Sequence, residues 1–545
     1  DGSKHLNPTI LFDILMMPGV DVNRTYSIDP NEMYQIFGLE AARFQIQYQL
    51  NKVLVMTELE IYFQKFRKNI IGIDQTFVSP YGEKRIIYAD WIASGRLYEP
   101  IEDKIKNTFG PFVGNTHTET TVTGTTMTKA YHLAQEIIKK HVNANDDDVL
   151  ITAGSGMTAV INKLQRILGF KLSEQLSEYT DIPKNACPVV FVTHMEHHSN
   201  QTSWFETIAD TVVIEPNEDG LVDTTKLEDA LQKYKDRKFK IGSFTACSNV
   251  TGVETPYYEL AKIMHKHGGY CFVDFAAIAP YKTIDMHPTD PLERLDAIFF
   301  SPHKFLGGPG TSGVMIFNKN LYQRKVPDHP GGGTVDWTNP WGEHRYISDI
   351  EAREDGGTPG FIQAIRTALS IRLKDEMTCE KIMARENELL SIVLKRFREI
   401  PKVHLLANNI EIRSGIISFY SENIHFNLMV KLLNDRYGIQ MRGGCSCAGT
   451  YGHYLLHIDP TRSKRITDMI DHHDLSQKPG WVRFSLHPTM TNEELTIIMD
   501  AIEEIVLNEA DYRKDYTYNP EKNEFYHYTE VQSNFKYLDD WFSLT

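Results

Sequence analysis

From about residue 149 onward, the chain alternates short apolar runs with amphipathic stretches, and this alternation constrains the fold more than any other feature. The apolar runs predict strands, and the stretches between them carry apolar residues at helical spacing. The predicted strands are residues 149–152, 189–193, 211–214, 241–246, 270–274, 297–300 and 313–317. The predicted helices between them include residues 156–169, 224–234 and 256–267. This order is typical of an α/β domain with a mostly parallel sheet and helices on both faces.

A carboxylate and a lysine stand at the ends of two of these predicted strands. Asp274 closes the apolar run Tyr270-Cys-Phe-Val-Asp274, and Lys304 follows the strand 297–300 in Ser301-Pro-His-Lys304. A lone lysine at a loop start is usually a solvated residue. The pair, however, is what pyridoxal phosphate requires, because the lysine holds the aldehyde as a Schiff base. The carboxylate pairs with the pyridinium nitrogen, so that the ring can act as an electron sink.

A glycine-rich turn and a histidine follow two other predicted strands. Gly156 and Thr158 lie in the turn after strand 149–152, where helix N-terminal amides and a hydroxyl can hold a phosphate. This signal is weak alone, because many strand–helix turns carry glycine for packing. His197 follows strand 189–193 and suits a loop residue, a metal ligand or a group that stacks on a ring. No partner cluster at metal spacing accompanies it, so we expect no metal site.

Composition excludes several classes of protein. The 545 residues suit two or three domains, and 57 basic against 72 acidic residues give a net charge of −15. With no dense basic stretch, we expect neither nucleic acid nor an anionic membrane as partner. We see no apolar run long enough to span a membrane and no signal peptide, so we expect a cytoplasmic protein. Six cysteines are too few for a disulfide framework in so long a chain: 187, 247, 271, 379, 445 and 447.

The chain beyond residue 317 changes character. A long charged helix is predicted over about residues 367–400, followed by mixed elements. These are strands at 416–420 and 481–485, a helix at 427–437, and a helix that the capping box Thr491-Asn-Glu-Glu494 opens. The tail, residues 508–545, is rich in tyrosine and acidic residues without a clear period, which predicts an extension that follows the surface.

Taken in order, short motifs along the chain resemble those of class V aminotransferases, and within that family the cysteine desulfurases and selenocysteine lyases. The resemblance spans roughly residues 65–510. It rests on Tyr88-Ala-Asp90, Asn115-Thr-His-Thr-Glu119, Gly156-Met-Thr158, Glu196-His197-His198, Ser248-Asn249, Asp274, Ser301-Pro-His303-Lys304, Gly357-Thr358-Pro359, Arg442-Gly-Gly-Cys-Ser-Cys447-Ala448 and Trp481-Val-Arg483. It implies the α/β fold type I of pyridoxal phosphate enzymes, whose large domain has a mostly parallel seven-stranded sheet flanked by helices. We expect that domain at 56–370, a smaller α+β domain at 371–510 and an extension at 511–545.

The resemblance also implies roles for residues around the cofactor. Lys304 would form the Schiff base and move the α-proton, Asp274 would keep the ring nitrogen protonated, and His197 would stack on the ring and shuttle protons. The phosphate would be bound by Gly156, Met157, Thr158, Ser301 and His303, with Thr358 reaching it from a partner subunit. This last role implies a homodimer.

For the substrate, the resemblance implies a carboxylate clamp and a nucleophile. Asn249, Arg442 and Arg483 would surround the substrate, with Asn249 and Arg483 holding its carboxylate. Cys447 matches the desulfurase nucleophile, whose thiolate attacks the sulfur of L-cysteine and leaves a persulfide and alanine. We expect Cys447 on a mobile glycine-rich loop, and a sulfur-acceptor protein as a further partner.

The chain departs from the desulfurase pattern at two places. Ala277 stands where those enzymes carry a glutamine that bonds the cofactor's phenolic oxygen. The stretch between Cys447 and Arg483 is long, and we expect it to reshape or cover the site.

The first 55 residues have a resemblance of their own. Leu15-Met-Met-Pro-Gly-Val-Asp-Val-Asn-Arg24 and Gly38-Leu-Glu-Ala-Ala-Arg43 are similar to a short part of the largest subunit of multisubunit RNA polymerases. The segment has none of that subunit's metal-binding catalytic motif, so we expect a fused or truncated relic without polymerase activity. A chance amphipathic segment is the alternative.

Three functions remain open from the sequence. The leading one is a cysteine desulfurase in which Cys447 carries the persulfide. The second is another class V reaction, such as transamination, epimerisation or selenocysteine cleavage, in which Cys447 takes no part. The third is a non-catalytic scaffold that the N-terminal segment links to a transcription complex, and the retained pair of Asp274 and Lys304 argues against it.

Overall fold

The structure is a computed structural model that describes residues 56–116, 118–529 and 536–544. The chain divides into two units, Asp1–Tyr62 and Phe63–Thr545, and the second contains nearly all the described residues. The polymerase-like segment, residues 1–55, lies outside the described residues.

The described residues form helices and strands that alternate in the first half and mix in the second. The helices are α1 Glu58–Arg67, α2 Glu99–Asp103, α3 Val122–His141, α4 Met157–Ile167, α5 Glu174–Ser177, α6 His198–Phe205, α7 Thr224–Lys233, α8 Tyr257–Lys266, α9 Ile350–Glu354, α10 Phe361–Met377, α11 Cys379–Glu399, α12 Phe426–Tyr437, α13 Gly449–Leu455, α14 Pro460–Asp471, α15 Asn492–Tyr512 and α16 Lys536–Trp541. The strands before the large sheet are β1 Thr76–Ser79, β2 Gly82–Arg85 and β3 Ile87–Tyr88.

A seven-stranded sheet organises the first half. Its strands are β4 Asp148–Ala153, β5 Val189–Thr193, β6 Asp210–Ile214, β7 Lys240–Thr245, β8 Tyr270–Asp274, β9 Ala297–Phe300 and β10 Gly313–Asn318. They lie in the order β4-β10-β9-β8-β7-β5-β6. Only β10 runs antiparallel to its neighbours, β4 and β9, while the other pairs are parallel. The predicted mostly parallel seven-stranded sheet is confirmed.

Both faces of this sheet are buried, which explains why its strands read as continuous apolar runs. Successive residues face opposite sides: Val273 packs into one core cluster and Phe272 into the other. Helices cover each face, with α8 next to the first cluster and α4 next to the second. The sheet is therefore a rigid platform whose polar groups lie at the strand ends.

The carboxyl ends of β4, β5, β7, β8 and β9 meet at one edge of the sheet. This follows from the parallel pairs and from the two antiparallel steps through β10, which return β4 to the direction of β9. Residues that follow these strands therefore converge, although they come from five separate parts of the sequence. In open α/β sheets, ligands bind at this edge.

The second half adds smaller sheets and long helices. Its strands are β11 Val335–Thr338, β12 His344–Tyr346, β13 Val403–Leu405, β14 Ile416–Ser421, β15 Ile439–Gln440, β16 Arg442–Gly444, β17 Trp481–Ser485, β18 Tyr516–Asn519 and β19 Glu524–His527. A four-stranded sheet has the order β13-β14-β17-β16, and β18 pairs with β19. The predicted capping box is confirmed, because Thr491 Oγ1 accepts from the Glu494 amide at 3.0 Å and Glu494 Oε2 from the Thr491 amide at 3.3 Å.

The single helix predicted over residues 367–400 is wrong. The chain forms two helices, α10 and α11, that break at Thr378, whose backbone has φ 60° and ψ 129°. The Thr378 hydroxyl then caps α11 by accepting from the Lys381 amide. Helix α10 runs across residue 370, and the division into domains there stays a prediction. No helix among the described residues has both the length and the apolarity to cross a membrane.

Candidate active site

A cavity of about 1190 Å³ opens at the carboxyl edge of the seven-stranded sheet. Four polar residues at its base follow strands of this sheet, and we call them the strand-end cluster: His197, Asp274, Ser301 and Lys304. All four were predicted site residues, and the structure brings them together in one cavity. The next strands along the sheet supply Asn249, after β7, and Gly156 to Thr158, after β4.

Asp274 and Lys304 lie on neighbouring strand ends inside the protein. Asp274 is 4% exposed, and its Oδ1 accepts from the Ala276 amide at 2.8 Å. Burial raises the pKa of Asp274 to about 6, although that hydrogen bond and the Lys304 charge oppose the shift. Burial likewise lowers the pKa of Lys304 to about 8, against the opposing charge of Asp274. No hydrogen bond from the Lys304 amine is formed among the described residues, and Lys304 lines the cavity.

His197 stands at the end of β5 in a neutral state. Burial, and then the charge of Lys304, lower its pKa to about 3. Its Nδ1 accepts from the Ser199 amide at 3.1 Å, which leaves the ring hydrogen on Nε2. A neutral ring held in this way suits stacking on a flat cofactor better than carrying a charge.

Glu196, directly before His197, is a buried residue for which the sequence motifs predict no role. It is 1% exposed and accepts from the Thr193 amide and hydroxyl, the Thr245 amide and the Asn200 side chain, at 2.7–3.1 Å. It therefore ties the end of β5 to the end of β7 directly before His197. Burial raises the pKa of Glu196 to about 7. The signal in the sequence was a glutamate three positions beyond the end of the buried strand β5.

The turn before α4 forms a cup of the size of an anion. The Met157 amide donates to Ser301 Oγ at 2.9 Å, and the Thr158 and Ser199 hydroxyls lie 2.6 Å apart. His303 Nδ1 lies 2.8 Å from the Ser155 carbonyl. A Cβ at residue 156 would come within 3.0 Å of the His303 ring, so glycine keeps the cup open. These groups fit a phosphate at the N-terminus of an eleven-residue helix.

Two arginines that line the cavity share one aspartate, Asp90. Arg483 Nη2 donates to Asp90 Oδ1 at 3.1 Å, and Arg442 Nε donates to Asp90 Oδ2 at 3.0 Å. Burial lowers the pKa of Arg483, while the negative charges of Asp90 and of an ionised Cys447 act in the opposite direction. The group keeps one net positive charge beside Cys447, which suits a substrate carboxylate. The sequence named Arg442 and Arg483 but missed Asp90, although it lies in a recognised motif.

Residues 442–449, the cysteine loop, carry Cys445 and Cys447 in the cavity wall. Hydrogen bonds tie the loop down: Asn249 Nδ2 donates to the Ser446 carbonyl at 2.8 Å, and the His198 amide donates to the Cys447 carbonyl at 2.8 Å. Trp481 Nε1 donates to Ser446 Oγ at 3.1 Å. Ser446 and Cys447 have positive φ values of 52° and 54°, a strained backbone for residues with a Cβ. These bonds hold the loop in one position in this structure, and its mobility stays a prediction.

One departure from the desulfurase pattern and two polar groups without a partner also line the cavity. Ala277 is 5% exposed and lines the cavity, so it offers no donor where a glutamine was expected. Asn249 holds the cysteine loop through Nδ2, and its buried Oδ1 has no partner among the described residues. The Nε of Arg483 is likewise buried and unsatisfied. Such groups point to a polar ligand, and with Lys304 and the anion cup they fit pyridoxal phosphate and an amino acid.

Thr358 lies apart from this cavity. It is exposed, and its Oγ1 donates to Asn115 Oδ1 at 3.4 Å. This position agrees with a role in a partner's site but does not test the homodimer. Within the part of the chain that the structure describes, no group of three or more His, Cys, Asp or Glu residues could hold a metal ion.

The mouth of the cavity is lined by four residues that sequence reasoning did not assign to the site, and we call them the rim: Leu475, Lys478, Lys522 and Asn523. The first two come from the long stretch between Cys447 and Arg483, which was expected to reshape the site. The other two lie at the tip of the hairpin β18–β19, in the C-terminal extension. No periodicity in the tail predicted this hairpin.

Comparisons with known proteins extend over most of the chain. A family model described as aminotransferase class-V matches residues 87–498. A probable cysteine desulfurase of Halalkalibacterium halodurans is 28% identical over 368 residues, which are 67% of this chain and 84% of that protein. A probable cysteine desulfurase of Staphylococcus aureus is 27% identical over 370 residues, with the same two shares.

Solved structures agree in fold. The cysteine desulfurase of Thermococcus onnurineus has a TM-score of 0.64 at 21% identity and covers 82% of this chain and 98% of its own. The cysteine desulfurase CsdA of Escherichia coli has a TM-score of 0.62 at 20% identity, with the same coverage. The predicted fold type I architecture is confirmed. The polymerase resemblance of residues 1–55 is not borne out, because the family match begins at residue 87 and the relatives named here are desulfurases.

Proposed function

The chain belongs to the aminotransferase class-V family, and we propose that within it the protein is a pyridoxal phosphate-dependent cysteine desulfurase. The observation that carries this proposal is the single cavity that holds Asp274 and Lys304 at its base and Cys447 in its wall. The names of the relatives support the same reaction. Family membership also makes the protein an enzyme and removes the scaffold alternative.

The residues at the base would hold the cofactor. Met157, Thr158, Ser301 and His303 would bind its phosphate, Asp274 its ring nitrogen and Lys304 its aldehyde, with His197 against the ring. When bound, pyridoxal phosphate supplies an electron sink that withdraws electrons from the Cα of an amino acid. The Asp274 carboxylate, held by the Ala276 amide, would keep a proton on the ring nitrogen.

The chain's own groups would then orient the substrate and move its protons. Arg483 would take the substrate carboxylate, since its charge is only partly offset by Asp90 and its Nε is unsatisfied. Asn249 would hold the cysteine loop with Nδ2, and its Oδ1, which can only accept a hydrogen bond, would be available to an N–H or O–H group of the ligand and not to the carboxylate. Lys304, with a pKa of about 8, would accept the Cα proton near neutral pH and return one to the product.

Cys447 would complete the reaction as a nucleophile. Its thiolate attacks the sulfur of cysteine, so that a sulfur–sulfur bond forms while the bond between Cβ and sulfur breaks. The balance is L-cysteine and the Cys447 thiol giving L-alanine and a Cys447 persulfide. Arg483 and Cys447 line the same cavity and interact electrostatically.

A direct assay tests this function. The purified protein, loaded with pyridoxal phosphate, should form alanine from L-cysteine and carry a persulfide on Cys447, detectable by mass spectrometry of the peptide. Alanine without a persulfide on Cys447, or formation of a keto acid, would favour the other class V reactions. The homodimer, the cytoplasmic location and the sulfur-acceptor protein remain predictions.

A further inference from the structure

Asp90 is hydrogen-bonded to both arginines that we place around the substrate. Its side chain is 12% exposed and that of Arg483 is 5% exposed, whereas Arg442 keeps 55% of its side chain open to solvent. The Asp90 backbone is held as well: its carbonyl accepts from the Ala93 amide at 2.9 Å, and it forms an isolated parallel bridge with Ser485. Asp90 is therefore a fixed carboxylate between a buried arginine and an exposed one.

The two arginines lie opposite one another on adjacent strands. Arg442, the first residue of the cysteine loop, pairs with Arg483 in the antiparallel register of β16 and β17. Residues paired in this way have Cα atoms about 5 Å apart. Their guanidinium groups also meet at one carboxylate, because Arg442 binds Asp90 Oδ2 and Arg483 binds Oδ1. Both line the cavity, so a ligand that reaches from Arg483 toward the cysteine loop passes close to Arg442.

The charges of these three residues determine how much negative charge the site accepts. Two guanidinium groups and one carboxylate leave a single positive charge, which the α-carboxylate of one amino acid neutralises. A second carboxylate on the same ligand would meet a group whose charge is already balanced. It would also lose water on entering the cavity without gaining a free cation in return.

We infer that Asp90 determines substrate specificity: it occupies Arg442, so that the site takes amino acids with an uncharged side chain and disfavours those with an acidic one. This inference rests on the proposed function, which places the α-carboxylate at Arg483 and the side chain toward the cysteine loop. Asp90 acts through the two arginines and is a positioning residue. Without its charge, Arg442 would attract an acidic side chain.

The test compares L-asparagine with L-aspartate, which have nearly the same shape and differ by one negative charge on the side chain. Neither carries a thiol, so neither enters the desulfurase reaction. The dissociation constant of each is measured from the absorbance change of the holoenzyme. The useful quantity is the aspartate preference, which is the dissociation constant for asparagine divided by that for aspartate. A general loss of structure would weaken both ligands and leave this ratio unchanged.

The variants change the charge of the group in both directions. Asp90→Asn adds one positive charge, and the aspartate preference should rise about twofold to fivefold, the range of a partly exposed ion pair. Arg442→Ala leaves Asp90 without its exposed partner, and the preference should fall by a similar factor. The double variant Asp90→Asn/Arg442→Ala restores the original charge and should return the preference to the parent value. Asp90→Glu keeps the charge and should stay closer to the parent than Asp90→Asn does.

A variant with the same change in net charge provides the control. Asp511→Asn removes an exposed carboxylate that pairs with Lys514 and does not line the cavity, so its preference should equal that of the parent. An unchanged preference in Asp90→Asn, or a rise that persists when Arg442→Ala is added, would overturn the inference. If Asp90→Asn fails to fold, Arg442→Ala decides, because an unchanged or increased preference there would also overturn it. Failure of the parent to form alanine from L-cysteine would instead overturn the proposed function.

Discussion

The base and the mouth of this cavity differ in burial: the base is shielded from solvent, and the mouth is exposed to it. The strand-end cluster lies on a sheet that is buried on both faces, and burial displaces the pKa of His197, Asp274 and Lys304. The rim consists of exposed and hairpin residues from segments late in the chain. Water and salt screen the charges at the rim. At the buried base, charges are screened much less and interact strongly. The base thus carries the groups to which we assign the chemistry, and the mouth is the part of the cavity that solvent reaches.

The largest expected effect is at the base. Lys304→Ala removes both the amine that holds the cofactor and the group that moves the Cα proton. Formation of alanine from L-cysteine should fall by at least about a thousandfold, since acid–base groups of this kind contribute about that much. The variant leaves the rim residues unchanged, so a loss of this size would show that alanine formation depends on the base and that the rim alone does not support it.

The chain contains an internal control for that assignment. Lys374 is also buried, and burial also lowers its pKa to about 8, but its Nζ donates to the carbonyls of Ala279 and Lys282 and lies outside the cavity. After borohydride reduction of the holoenzyme, peptide mapping should find the cofactor on Lys304 and not on Lys374. A label on Lys374 would mean that a lowered pKa alone, without the strand-end geometry, selects the lysine.

The second expected effect separates the wall of the cavity from its base. Cys447→Ala should leave the absorbance of the bound cofactor unchanged and lower alanine formation from L-cysteine by at least about a hundredfold, because the nucleophile is lost. Selenocysteine should still be cleaved, since selenium leaves without attack by a thiolate. Cys445→Ala, two positions away on the same loop, is the matched control and should have a milder effect. Parent-like turnover of L-cysteine by Cys447→Ala would favour another class V reaction.

This contrast also explains what the sequence could predict about the site. Asp274 ends one apolar strand and Lys304 lies four positions beyond the next. Because parallel strand ends converge, local pattern and topology were enough. Lys522 and Asn523 lie at the tip of a hairpin whose position depends on contacts of His425 with Phe525 and Tyr518, at ring distances of 5.3 and 5.5 Å. Contacts between residues so far apart in sequence leave no local signal.

The fold shows the same division. The seven strands were predicted nearly to their ends, because both faces of each strand are apolar. The break between α10 and α11 was missed, since Thr378 is flanked by good helix formers and only its positive φ interrupts the pattern. Asp90 was overlooked for a related reason: its importance comes from two arginines that lie more than 350 positions away.

A third expected effect concerns the stability of the base. Burial raises the pKa of Glu196 to about 7 from its ordinary 4.5, so the unfolded state binds fewer protons than the folded state between these values. The free energy of unfolding should therefore fall as pH rises through this window, by about 3 kcal/mol at most. Glu196→Gln should show a smaller decline than the parent when urea unfolding is compared at pH 5 and pH 7.5, because its own contribution is lost. Glu386→Gln, another buried carboxyl with a pKa near 7, should also flatten the profile but leave the cofactor absorbance unchanged.

The smallest expected effect measures how the base prepares Lys304 for its cofactor. Only the neutral amine attacks an aldehyde, and burial lowers the pKa of Lys304 to about 8. The rate at which the cofactor-free protein captures pyridoxal phosphate should therefore rise about tenfold per pH unit below 8 and level off above it. Asp274→Asn should shift the midpoint to lower pH, because the Asp274 charge raises the pKa of Lys304. Lys522→Ala, at the rim, should leave the midpoint in place. A capture rate that keeps climbing past pH 10 would show that Lys304 behaves as an ordinary exposed lysine, and the contrast between base and mouth would disappear.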